Sequence, residues 1–169
     1  MHRVILLIPL LLAACVGAGT RVPGFRAPEA PIWSAAAFAP DRITGDWTQV
    51  AAYAARDGGC DGGALRFVPA ATGQAITGLT VTGTLCLDGK PQRIDTTAWP
   101  SGPGRLALAG MEDWWVLWVD SGYRTLAIGT PSGRFGFVLD RADLPADRLA
   151  AAREIFDFNG YVPGALRPF

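Results

Sequence analysis

The feature that most limits this chain is a succession of eight short apolar-rich runs, each closed by Gly, Pro, Asp or Ser. They lie at 46–53, 64–68, 79–87, 92–98, 105–108, 114–120, 123–128 and 135–139. β-Branched and aromatic residues are frequent in them, and several alternate apolar with polar, the period of a strand with one buried face. The links carry turn chemistry: Asp88-Gly89, Pro100-Ser101-Gly102-Pro103-Gly104, Ser121-Gly122 and Pro131-Ser132-Gly133. Strands joined in this way expose two edges unless the sheet closes on itself, and closure alone removes both. The expected fold is therefore all-β, an eight-stranded antiparallel up-and-down barrel. At 169 residues the chain has the length of one domain.

A helix follows the last run. Pro145 suits a first helical turn, and Asp143 and Asp147 sit where the positive dipole end favours carboxylates. Leu149, Ala152, Ile155 and Phe156 recur at helical spacing, and Gly160 supplies a left-handed stop. One apolar stripe implies that this helix packs on the barrel wall.

The first residues read as an address. His2 and Arg3 form a basic start, Val4 to Leu12 a continuous apolar run too short to span a bilayer, which needs about 20 residues. The run ends in Leu12-Ala13-Ala14-Cys15, which resembles the lipobox of bacterial lipoproteins. That resemblance implies a signal peptide over 1–14, diacylglycerol on Cys15 and a lipidated tether over 15–40, rich in Gly, Ala and Pro. Trp33 and Phe38 are candidates to pack back onto the domain that begins near residue 41. Val16 stands where an aspartate would resemble an inner-membrane retention signal, so the outer membrane, periplasmic face, is the expected location.

Charge and histidine exclude more than they assign. Basic and acidic residues number 15 each, and no long basic run invites nucleic acid. His2 is the one histidine, so loss of the signal leaves no imidazole for a triad, a proton relay or a zinc site. No cofactor or metal is expected. Glu112-Asp113 reads as a solvated loop, and the glycines near 102–104 lack the downstream helix that a phosphate cradle needs. An enzyme is the least favoured class. Cys60 and Cys86 remain after Cys15; in an oxidising compartment they are expected to pair, a bridge worth about 3.5 kcal/mol by chain entropy.

Three local patterns then point to a family. Gly45-Asp46-Trp47 looks like the G-x-W motif of lipocalins, Asp120-Ser121-Gly122-Tyr123 stands where they carry T-D-Y, and Arg141 stands at their arginine. The run from Trp114 to Tyr123, with Gly129-Thr130-Pro131 and 135–141, is especially similar to the bacterial outer-membrane lipoprotein lipocalins. Ser121 and Gly122 replace the usual threonine and aspartate, and Asp140 the usual serine.

The resemblance implies that Trp47 plugs one end under Gly45, with the Arg141 guanidinium across its indole, a contact of about 1–2 kcal/mol when shielded. Counting in twos, with the family's turn as a guide, assigns an inner lining of Gln49, Ala51, Tyr53, Trp114, Val116, Trp118, Thr125, Ala127, Gly129, Phe135, Phe137 and Leu139. Trp115, Leu117 and Val119 are then expected outside, partly under the helix, any exposed remainder being a homodimer or membrane surface. Small residues at Ala51, Ala127 and Gly129 would leave room in the barrel. The favoured function is a membrane-tethered carrier of small hydrophobic ligands such as fatty acids or lysophospholipids. The alternative is a filled barrel that serves structure or assembly and binds a protein partner through its outer face or loops. A carrier of the first kind needs an apolar cavity running from the mouth to Trp47.

Overall fold

The structure, a computed structural model, describes residues 24–72 and 75–169; the expected signal peptide, Cys15 and the start of the tether lie outside them. Eight strands follow in chain order: β1 Gly45–Tyr53, β2 Gly63–Thr72, β3 Ala75–Leu87, β4 Lys90–Gly102, β5 Arg105–Leu108, β6 Trp114–Val119, β7 Thr125–Gly129 and β8 Gly136–Asp140. Each pairs antiparallel with the next, and β1 pairs with both β2 and β8, so the sheet closes. The helix α1 spans Ala146–Phe158, with Ala152 and Phe156 buried and Leu149 and Ile155 packed beside them. Pro145 is its N-cap. At its other end Gly160 takes φ 79°, while Gly160 N–H donates to Asp157 and Tyr161 N–H to Phe156, the paired bonds of a Schellman stop.

Two departures from the sequence reading have plain causes. The β2–β3 hairpin runs on to Thr72↔Ala75, several residues past the expected strand ends. Pairing of β1 with β2 stops at Gly45↔Phe67, so beyond Phe67 the outer side of β2 is free and Pro69 costs no ladder bond. The second is an unforeseen short strand, β9 (Leu166–Pro168), whose three residues show no period. It pairs with Ala51, Ala52 and Tyr53 of β1, beyond the Gln49↔Gly63 pair at which β2 leaves off.

The described part of the 15–40 segment is docked rather than free. Ala35 N–H donates to Val116 O, Phe38 stacks on Tyr123, and the buried Arg26 donates to Asn159 and Pro131 carbonyls. Trp33 remains 58% exposed.

Apolar side chains separate into two clusters. One fills the barrel, from Trp47 and Ile43 at the closed end through Leu65, Val81, Ile94 and Leu126 to Leu87 at the mouth. The other lies between wall and helix and joins Ala51, Tyr53, Leu117, Ala127 and Val138 to Ala152, Phe156, Tyr161 and Leu166.

Candidate functional site

The two clusters decide which expected lining residues face inward. Trp47, Trp114, Val116, Phe137 and Leu139 belong to the barrel interior, with Phe135 packed at its edge. Gln49 is also buried, reaching Cys86 of β3 with both ends of its amide: Nε2 donates to Cys86 O at 2.8 Å and Oε1 accepts from Cys86 N at 2.6 Å. It thus bridges strands instead of offering a free polar group.

Six expected lining residues stand outside instead, Gly129 of β7 among them. Ala51, Tyr53, Trp118 and Ala127 pack in the cluster between wall and helix. Thr125 donates its hydroxyl to Asp140, which is ion-paired to Arg148 of the helix, so it too is on the outer face. The cause in β1 and β6 is a bulge: register shifts between Gln49 and Ala51 and again between Val116 and Trp118. One extra residue reverses every later side chain of a strand. Ala52 and Val119 consequently turn in, against the outward expectation for Val119, while Trp115 and Leu117 do face the helix side.

In β7 the same bulge carries across: Thr125, Ala127 and Gly129 were expected inside with the lining of β6, but Ala127 pairs with the outward Trp118 and Gly129 with the outward Trp115. Leu126 opposite Leu139 and Ile128 opposite Phe137 are the inward pairs. Gly129 and Gly136 form an outer pair, where a Cβ on either would meet the Tyr161 ring or hydroxyl at 3.0 Å or less. The space expected inside therefore lies on the outer wall and is taken by Tyr161, Phe156 and Leu117.

At the closed end the plug is assembled as the motifs implied. Trp47 is 1% exposed and donates from Nε1 to Ile43 O at 2.7 Å. Arg141 lies 4.2 Å from the indole centroid and donates to Tyr123, Arg42 and Thr44 carbonyls. Gly45, at φ 105°, passes under Arg141, where a Cβ would sit 3.1 Å from the guanidinium. The next turn is fixed by Asp120, whose carboxylate accepts from the backbone of Gly122, Arg124 and Thr125. Burial alone would raise the Asp120 pKa, but these amides and the Arg124 side chain outweigh it and hold the carboxyl below its ordinary value. A carboxyl depressed in the folded state stabilises the fold fully above its unfolded value, and that contribution is lost as pH falls through the folded value. Urea titrations across that acid range should show stability falling below about pH 4, and Asp120→Asn should flatten the fall while lowering stability at neutral pH.

The other end is open. A cavity of about 560 Å³ is lined by Leu87, Met111, Phe135 and Phe25, with Asp88, Lys90, Gln92, Glu112 and Arg134 around them. One strand step further in, Phe137 meets Trp114 edge-on at 5.2 Å. The Trp114 indole N–H is buried without a protein acceptor among the described residues. Beside the mouth a second cavity of about 570 Å³ is lined by Ala52, Cys60, Cys86, Arg167 and Phe169, among others. Neither large mouth cavity is lined by Trp47, Trp114 or Val116, so neither reaches the plug: the mouth-to-plug cavity expected of a carrier is in neither of them, and their open space is confined to the mouth. Cys60 and Cys86 are joined, with Cα atoms 5.8 Å apart, and the bridge ties the 54–62 loop to β3. Of the mouth residues sequence reasoning named Phe135 and missed the others, because Phe25 comes from the tether and the polar ones from separate turns. The alternation of Leu65 with Phe67, and of Leu79 with Val81, did foreshadow their interior places.

Among the described residues no group of three His, Cys, Asp or Glu side chains is placed to hold a metal ion. No protein-family model matches the chain, and no curated protein matches its sequence. Solved structures do match. A siderocalin, Ex-FABP, described as functioning through dual ligand specificities, superposes with a TM-score of 0.57 at 16% identity over 74% of this chain and 91% of its own. Lobster apocrustacyanin A1 superposes with a TM-score of 0.54 at 12% identity, over 87% of this chain and 91% of its own. The fold is that of the lipocalins.

Proposed function

We propose that the chain is a lipocalin of the bacterial outer-membrane lipoprotein type that binds small amphipathic hydrophobic molecules, such as fatty acids or lysophospholipids, at the mouth of its barrel. The observation that carries this reading is the mouth cavity. Its volume, about 560 Å³, lies in the range of small-molecule sites. Its wall joins Leu87, Met111, Phe25 and Phe135 to a rim holding Lys90, Arg134 and Gln92, which suits an apolar body with a polar head. Binding is burial in a preformed cup with no covalent step, and the chain is not an enzyme on this reading. Acylation of Cys15 holds it on the periplasmic face of the outer membrane.

Titration with a fluorescent fatty acid tests the site. Phe135→Asp puts a charge in the apolar wall at a partly buried position and should weaken binding at least tenfold while the circular dichroism is unchanged. Equal affinity in wild type and variant rejects the mouth as the site. A filled barrel serving structure or assembly is the second reading, favoured by the dense interior between Trp47 and Phe137. Mass spectrometry of the full-length protein extracted from its membrane separates the two: stoichiometric lipid supports the binder, and its absence with no fatty-acid binding supports the filled barrel.

A further inference from the structure

We infer that the open end of the barrel rests against a lipid bilayer through an apolar patch of Trp33, Phe158 and Val162. The inference builds on the acylation of Cys15 proposed above. Residues 24–27 are stitched to the mouth: Phe25 N–H donates to Gly133 O in the β7–β8 loop, Val162 N–H to Phe25 O and Ala27 N–H to Gly160 O. The chain therefore leaves the domain at the open end, and Gly24 follows Cys15 by nine residues, at most about 30 Å of extended chain. A domain of this size is roughly 40 Å across, so such a link keeps the open end nearer the anchor plane than the plug.

The apolar patch lies at that same place. Phe158 is 70% exposed, Trp33 58% and Val162 56%. Isolated exposed apolar residues are ordinary, but these three flank one junction. Phe158 precedes Asn159, whose Oδ1 accepts from Trp33 N–H, and Val162 follows one turn later on Phe25. Tryptophan beside Phe and Val is the composition of a surface seated at a membrane interface. Exposed charges nearby are mixed, Glu29, Glu154 and Asp157 against Arg134 and Arg153, so apolar burial and not charge supplies the attraction. The mouth cavity, walled on one side by Phe25, then opens toward the layer that contains amphiphiles.

The mature chain, residues 15–169 with Cys15→Ser and without the apolar 1–14 segment, isolates this face from the anchor. It should partition onto phosphatidylethanolamine–phosphatidylglycerol vesicles, and equally onto phosphatidylcholine. Phe158→Asp with Val162→Asp should reduce the partition about tenfold or more with the melting temperature held, since both side chains are exposed. On the acylated protein in the same vesicles, hydrogen exchange should slow over 24–34 and 157–163 and not at the plug. Partition indifferent to the double substitution, or protection centred on the plug, overturns the inference. So does dimerisation in solution that Phe158→Asp abolishes without any vesicle binding, which would make the patch a surface for a second copy. An intact mass without acyl groups refutes the anchor separately, because the Cys15→Ser measurement does not depend on it.

Discussion

Trp47→Ala lowers unfolding stability by about 3–5 kcal/mol and leaves a protein largely unfolded at 37 °C, measured by urea denaturation followed through circular dichroism. The indole is almost wholly buried, so its removal opens a cavity at the closed end. It also strips Ile43 O of its Nε1 donor and leaves Arg141 without the face it lies on. Arg141 would then hold the Tyr123, Arg42 and Thr44 carbonyls with nothing beneath it. Trp47→Phe keeps an aromatic face for the guanidinium and should lose only about 1–2 kcal/mol, chiefly the hydrogen bond and some volume. A stable Trp47→Ala protein deficient only in ligand binding overturns the structural role.

The second large effect belongs to the disulfide. Cys60→Ser with Cys86→Ser should lower stability by about 3.5 kcal/mol, a fall of about 10 °C in melting temperature for a domain of this length. Reduced wild type and the double variant should melt together. The loss has a local signature as well. Without the bridge, the 54–62 loop is no longer tied to β3, while the amide of Gln49 still holds Cys86 from inside. Hydrogen exchange should rise in that loop before it rises in β3, and simultaneous opening of both would show that Gln49 does not hold the strand by itself.

Barrel, helix and plug were legible because each leaves a repeated or chemically specific trace. Turn residues mark the ends of strands, Gly160 marks the end of α1, and Gly45, Trp47 and Arg141 meet as their motif implies. The lining was legible only up to the first irregularity. Nothing in Gln49-Val50-Ala51 or Val116-Leu117-Trp118 announces an extra residue, since every candidate for the bulge is compatible with either face. Downstream parity therefore reversed, and Tyr53 and Trp118 changed sides. Apolar identity could not flag the error because both faces of this wall are buried, one by the barrel's contents and one by the helix. Phe135 apart, the mouth was illegible for a different reason: its members are brought together only by closure of the sheet and by docking of the segment that carries Phe25.

β9 carries a consequence for how such a protein is made. The first strand of the barrel takes its neighbours from β2, β8 and β9, and the segment that leads into the barrel is hydrogen-bonded to the residues just past α1. Contacts of that sequence separation impose slow closure. A nascent chain still missing residues 166–168 leaves the mouth-side edge of β1 unpaired, open to the wrong strand or another molecule. The native wall becomes available only once Leu166–Pro168 have been made, more than a hundred residues after the strand they cover, so the first strand of the barrel waits for a partner that lies beyond the helix.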